Sequence, residues 1–136
     1  MRMLAIVLWC GVLFVGTCTV SVSLLMSDFY VHFDFTSHAH LTDLFKLDIM
    51  PESNLYVIQK IGHITGFFIL SLLLTKGGKQ PSGLIWAVLY ALLTELLQPF
   101  FNRDGRLIDV LIDSIGIFGA YVLCRALRSR RAAQRR

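Results

Sequence analysis

Two stretches hold most of the groups able to do chemistry. Lys60 and His63 lie in "LYVIQKIGHITGFFILSLLLT". Glu95, Gln98, Arg103, Arg106, Asp109 and Asp113 crowd into "YALLTELLQPFFNRDGRLIDVLID", residues 90–113. Lys60 with His63, Glu95 with Gln98 and Arg106 with Asp109 are spaced i, i+3, and Asp109 with Asp113 is i, i+4, so each pair shares a helix face. Three kinds of chemistry fit. Glu95 can serve as general acid or base with His63 as its partner, while Lys60 and the arginines stabilise negative charge. The same cations can instead hold a phosphate or carboxylate head group without transforming it. Or Lys60, Arg103 and Arg106 neutralise Glu95, Asp109 and Asp113 and only hold helices together. The chain has no G-x-S-x-G or H-x-x-E-H signature. The catalytic candidates therefore stop at Glu95 and His63, and no cofactor and no metal is expected.

The elements that carry these residues are apolar. The chain has 136 residues, of which 55% are hydrophobic, and its mean hydropathy is +0.64, which points to an integral membrane protein. Apolar segments run over about 3–26, 55–75, 83–101 and 107–124, each near the ~20 residues that cross a hydrocarbon core. Residues 3–27 carry no charge, too long a run for a signal peptide, and no A-x-A site follows, so this segment reads as an uncleaved span. "KGGKQPSG" and "NRDGR" are short turns, and Pro99 falls near the end of the third segment, where a bend is tolerable. The expectation is an all-α integral membrane bundle of four transmembrane helices: a first helix in 1–26, an extracytoplasmic loop over 27–54, a three-helix core over 55–124 and a basic cytoplasmic tail over 125–136.

Orientation follows from the basic residues near the spans. With the N-terminus inside, nine of the 13 Lys and Arg are cytoplasmic, including Lys76, Lys79 and the tail arginines, and only Lys46, Lys60, Arg103 and Arg106 are outside. Both termini are therefore expected in the cytoplasm of a multi-pass cell-membrane protein. Glu95 then lies roughly 9 Å below the outer end of its helix. Three helices deliver their polar residues to one leaflet, an outward-facing cup. Gly116, Gly119 and Ala120, and Gly62 with Gly66, offer small faces for close helix approach.

The remaining signals are weaker. The basic tail marks topology and attraction to anionic lipid, and no nucleic-acid partner is expected. Cys10, Cys18 and Cys124 lie singly in apolar runs and read as inert. His32, His38 and His40 with Asp34 and Asp43 could bind zinc, but their spacing is weak. Val31, Phe33 and Phe35 alternate as a short strand does. Together with Phe29 and Tyr30, these phenylalanines suit anchoring at the head groups, as do Trp9 and Trp86 at the inner side. "HLTDLFKL" has the pattern of a short surface helix.

"QKIGHITGFFILSLLL" and "YALLTELLQPFFNRDGRLIDVLIDSIGIFGAY" together resemble the VanZ-like family of small membrane proteins, over about residues 59–121. The family's Lys-x-x-His falls on Lys60 and His63, its Glu-x-x-Gln on Glu95 and Gln98, and its following Arg, Asp and Gly on Arg103, Asp109 and Gly116. Gln59 replaces a more usual Asp, and Asp113 stands where Asn is frequent, so Asp113 carries less weight than Asp109; pairing with Arg106 is one role open to it. The family's named member is linked to teicoplanin resistance. The resemblance thus implies a cell-envelope role that influences glycopeptide susceptibility, with a lipid-linked envelope molecule or a membrane protein as partner beside the bilayer. The alternatives are a membrane enzyme acting on a lipid-linked substrate and a structural or assembly partner.

Overall fold

The computed structural model describes residues 1–39, 41–46 and 53–134. These described residues form five α-helices: α1 (Arg2–Cys18), α2 (Val22–Asp28), α3 (Asn54–Leu74), α4 (Ser82–Leu97) and α5 (Leu107–Ala133). α3, α5 and the stretch Ser82–Phe101 are each long and apolar enough to cross a membrane. At ~1.5 Å per residue, the 21 residues of α3 reach about 31 Å, close to the ~30 Å hydrocarbon thickness.

The chain is the all-α bundle expected, with a fourth span if the first apolar segment counts as one, but that segment is not a continuous helix. α1 and α2 qualify only as a pair bent by 117°. The break has a local cause: hydroxyl side chains compete for the backbone groups that a continuous helix would use. Ser21 Oγ accepts from Leu24 N–H at 3.3 Å and caps α2. Thr19 adopts an extended conformation, its hydroxyl donates to the His32 carbonyl, and Val20 N–H donates to that same carbonyl.

The segment before residue 40 also departs from expectation. It runs without a strand partner among the described residues, so the alternation at Val31, Phe33 and Phe35 builds no ladder. Phe33 and Phe35 instead pack edge-on to Phe101, which also meets Phe14 at 5.5 Å. Phe29 and Tyr30 remain exposed. Leu41–Phe45 forms a short 3-10 turn where a surface helix was expected; Leu47 lies outside the described residues.

The other end of the bundle gathers the basic groups. Lys76, Gly77 and Gly78 all have positive φ in the α3–α4 turn, where two glycines take that conformation at no steric cost. Arg2 lies beside this turn, and so do Arg125 and Arg128 of α5. α5 does not stop at residue 124. Its arginines and alanines are strong helix formers, Arg130 and Arg131 suit the negative end of the helix dipole, and the helix continues to Ala133.

The core lies where α1, α3, α4 and α5 meet, around Leu13, Phe67, Leu70, Ala87, Ala91 and Ile117. α5 packs most extensively on α3. Gly116 permits this: a Cβ there would collide with the Ile64 carbonyl oxygen and stand 3.2 Å from Phe68 N. Gly66 sits similarly under Leu13, whereas Gly62 and Gly119 face open space. Two long-range hydrogen bonds fasten α1. Trp9 donates to the Gly66 carbonyl at 2.9 Å, and Tyr90 donates to the Cys10 carbonyl at 2.6 Å. Trp9 is thus a helix fastener more than a belt residue, while Trp86 is exposed.

Candidate functional site

Pro99 begins the construction of the site. It lacks an N–H, and α4 gives way to a 3-10 turn over Gln98–Phe101. Asn102 follows with φ of 54°, a left-handed conformation tolerated by Asn. The chain then folds back on α4. Gly105 comes so close to the Glu95 carbonyl and the Pro99 ring that a Cβ would overlap both. The result is that Arg106 N–H donates to Glu95 Oε2 at 2.8 Å, placing a carboxylate at the positive N-terminal end of α5. Gln98 Nε2 donates to the other oxygen, Oε1, at 3.2 Å.

α3 supplies the cationic partners. Lys60 Nζ meets Asp109 Oδ2 at 2.5 Å and lies 4.8 Å from the centre of the Tyr56 ring. One turn deeper, His63 Nδ1 lies 3.1 Å from Asp113 Oδ1 and 3.9 Å from Glu95 Oε1. Glu95 and Asp113 are fully buried, and Gln98 and Asp109 nearly so. Arg103 Nη1 donates to the Val20 carbonyl at 3.2 Å, which fixes the turn to the α1–α2 break. Burial lowers the Arg103 pKa below its ordinary value, with nearby Asp104 opposing.

The eight sequence candidates therefore do come together, although their pairing differs from the sequence reading. Asp113 joins His63, and the Arg106 side chain approaches Asp104 at 3.8 Å. Asp113 thus belongs to the cluster, beside His63 as Asp109 is beside Lys60.

A polar cavity of about 290 Å³ opens over this cluster. Lys60, His63, Gln98, Arg103, Arg106 and Asp109 line it. Glu95 and Asp113 are not in its lining and lie behind His63. The sequence reading missed Val20, Tyr56, Gln59, Asn102 and Asp104 in the wall. Gln59 and Asn102 had a signal, being polar neighbours of Lys60 and Arg103 in apolar surroundings; Val20 had none.

A second cavity, about 360 Å³ and mainly apolar, lies between α1, α2 and α3. Gly16, Gly62 and Gly66 give it depth, and Val22, Leu25 and Met26 of α2 border it. Gln59, His63 and Arg103 line both cavities, so the groove and the cup adjoin. The loop histidines form no such centre among the described residues. Asp34 accepts from Asn102, Asp43 pairs with Lys46, and His40 lies outside the described residues.

Comparison with known proteins gives two findings. A model of the VanZ/LLP1 family matches residues 3–128. The membrane protein YwnJ of Bacillus subtilis (strain 168), itself uncharacterized, is 38% identical over 125 residues, covering 86% of this chain and 87% of that relative. No solved structure matches.

Proposed function

From the premise that this chain belongs to the VanZ/LLP1 family of membrane proteins, we propose that it binds an anionic, lipid-linked envelope molecule at the outer leaflet and thereby influences susceptibility to teicoplanin-type glycopeptides. The observation that carries this reading is the junction of the two cavities. A cup lined by Lys60, Arg103 and Arg106 against Asp104 and Asp109 suits a phosphate or carboxylate head, the adjoining apolar groove suits a hydrocarbon chain, and Arg103 and His63 stand at the boundary. An amphiphile has this same division.

Binding is favoured over catalysis by the position of Glu95. Its carboxylate is engaged by Arg106 N–H and Gln98 and does not line the cup, so it is poorly placed to exchange a proton with a bound substrate. The outward direction rests on the basic residues gathered at the opposite end of the bundle, the side that the positive-inside rule places in the cytoplasm. Both termini are then cytoplasmic.

The test is teicoplanin tolerance in a glycopeptide-sensitive Gram-positive host expressing wild type, Arg103→Ala or Lys60→Gln, with membrane abundance matched. Tolerance that rises with wild type and fails with equally abundant variants supports the reading. Wild type without any effect removes the glycopeptide role. A reporter active only outside the cytoplasm, fused after Arg136, should stay silent; activity there reverses the orientation.

A further inference from the structure

We infer that His63, Glu95 and Asp113 form a binding site for one divalent transition-metal ion, with zinc the ion that best suits the donors. Three helices contribute one residue each. Their candidate ligand atoms, one nitrogen and two carboxylate oxygens, all lie within 4.8 Å of one another. Ligand atoms around a tetrahedral ion at ~2.0–2.1 Å stand about 3.3–3.4 Å apart. The His63–Asp113 and His63–Glu95 separations, 3.1 and 3.9 Å, lie on either side of that spacing. The widest separation in the set reaches up to 4.8 Å, so the ion would draw the two carboxylates together.

A second observation points the same way. Asp113 is fully buried, and its Oδ2 has no hydrogen-bond partner. A buried carboxylate oxygen left without a proton donor or a cation is costly, and an ion held by both oxygens of Asp113 gives it a partner. The local charges agree. Lys60 is taken up by Asp109, and Arg103 is directed to the Val20 carbonyl. Glu95 and Asp113 both lie beside the one imidazole of His63, and Glu95 Oε1 also accepts from Gln98. A divalent ion balances two carboxylates while His63 stays neutral.

The surroundings of Glu95 are those of a metal ligand held in place. Gln98 and Arg106 N–H fix its carboxyl plane, as hydrogen bonds beyond the ligands do at metal sites. Imidazole with buried carboxylates suits zinc, and three protein ligands leave a position open. His63 also lines the cup, so the site adjoins it. The metal site stands on its own geometry, whether or not the cup holds a lipid head group.

The test uses untagged full-length protein in detergent, stripped with EDTA and dialysed against Zn²⁺, with metal measured by mass spectrometry. One zinc per chain is expected in the wild type. His63→Gln and Asp113→Asn should weaken binding by at least ~10-fold, with unchanged elution and circular dichroism. Should those variants misfold, the wild type alone decides: Zn²⁺ must raise its Tm, and Co²⁺ must give the visible absorption of a tetrahedral site. Substoichiometric zinc in folded wild type, full zinc in both folded variants, or neither response in the wild type overturns the inference. Retention of anionic lipid by the EDTA-stripped protein is measured in parallel, so loss of the metal site and loss of the binding function are told apart.

Discussion

Gly116→Ala should destabilise the bundle, whereas Gly119→Ala on the same helix should not. The two changes add the same methyl group and bring the same gain in helix propensity, about 1 kcal/mol. At Gly119 the new Cβ meets nothing within 4 Å. At Gly116 it overlaps the Ile64 carbonyl oxygen, with Ile64 C at 3.0 Å and Phe68 N at 3.2 Å. These are backbone atoms of α3 and cannot rotate aside, so α3 and α5 must separate. Overpacking of this kind costs about 1–3 kcal/mol. The interface at risk also carries the Ser71 hydroxyl bond to the Ile117 carbonyl, 2.8 Å. Relative to Gly119→Ala, Gly116→Ala should therefore be less stable by about 1–3 kcal/mol. Reversible unfolding in mixed micelles, followed by circular dichroism, measures the difference. Asp109 and Asp113 precede Gly116 on α5 and find their partners on α3, so the same separation should loosen the polar cluster. Equal stability of the two variants, or a more stable Gly116→Ala, refutes the close α3–α5 contact and the placement of the site that depends on it.

Lys60→Met alone should cost about 3 kcal/mol by stranding the buried Asp109 carboxylate, and the double variant Lys60→Met/Asp109→Leu should recover most of it; additive losses in a double-mutant cycle would contradict the pairing. Gly62→Leu should fold normally, because a Cβ there meets open space, yet it should fill the apolar groove and reduce co-purified anionic lipid severalfold relative to wild type. Unchanged lipid retention would separate the groove from binding. Trp9→Phe should lower stability by about 1 kcal/mol through loss of the bond to the Gly66 carbonyl, and an unchanged unfolding curve would remove Trp9 as the fastener between α1 and α3.

Much of the fold was legible because hydropathy is a local property. A run such as 55–75 must be helical to satisfy its own backbone in lipid, whatever its neighbours do. α3 accordingly begins and ends within a residue of that range, and Ser82–Phe101 and the start of α5 agree as closely. The α1–α2 break was less legible. Thr19 and Ser21 are compatible with a span, and the effect of Thr19 depends on His32 arriving beside it from a later segment.

For the candidate site, the sequence by itself determined which residues come to one end of the bundle. Alternating helices joined by short turns return to the same end, so Lys60, His63, Glu95 and Asp109 had to share a level. Their spacing assigned each to a helix face, but no helix sequence fixes its rotation against its neighbours. That required packing. Gly116 sets how close α5 comes to α3, and at that distance Asp109 meets Lys60 while Asp113 meets His63. Gly105 lets the turn press onto α4, so Glu95 holds the first turn of α5 and is withdrawn from the cup. Which carboxylate faces a ligand, which one holds a helix and which two share an imidazole were decided by contacts between residues 11 to 50 positions apart.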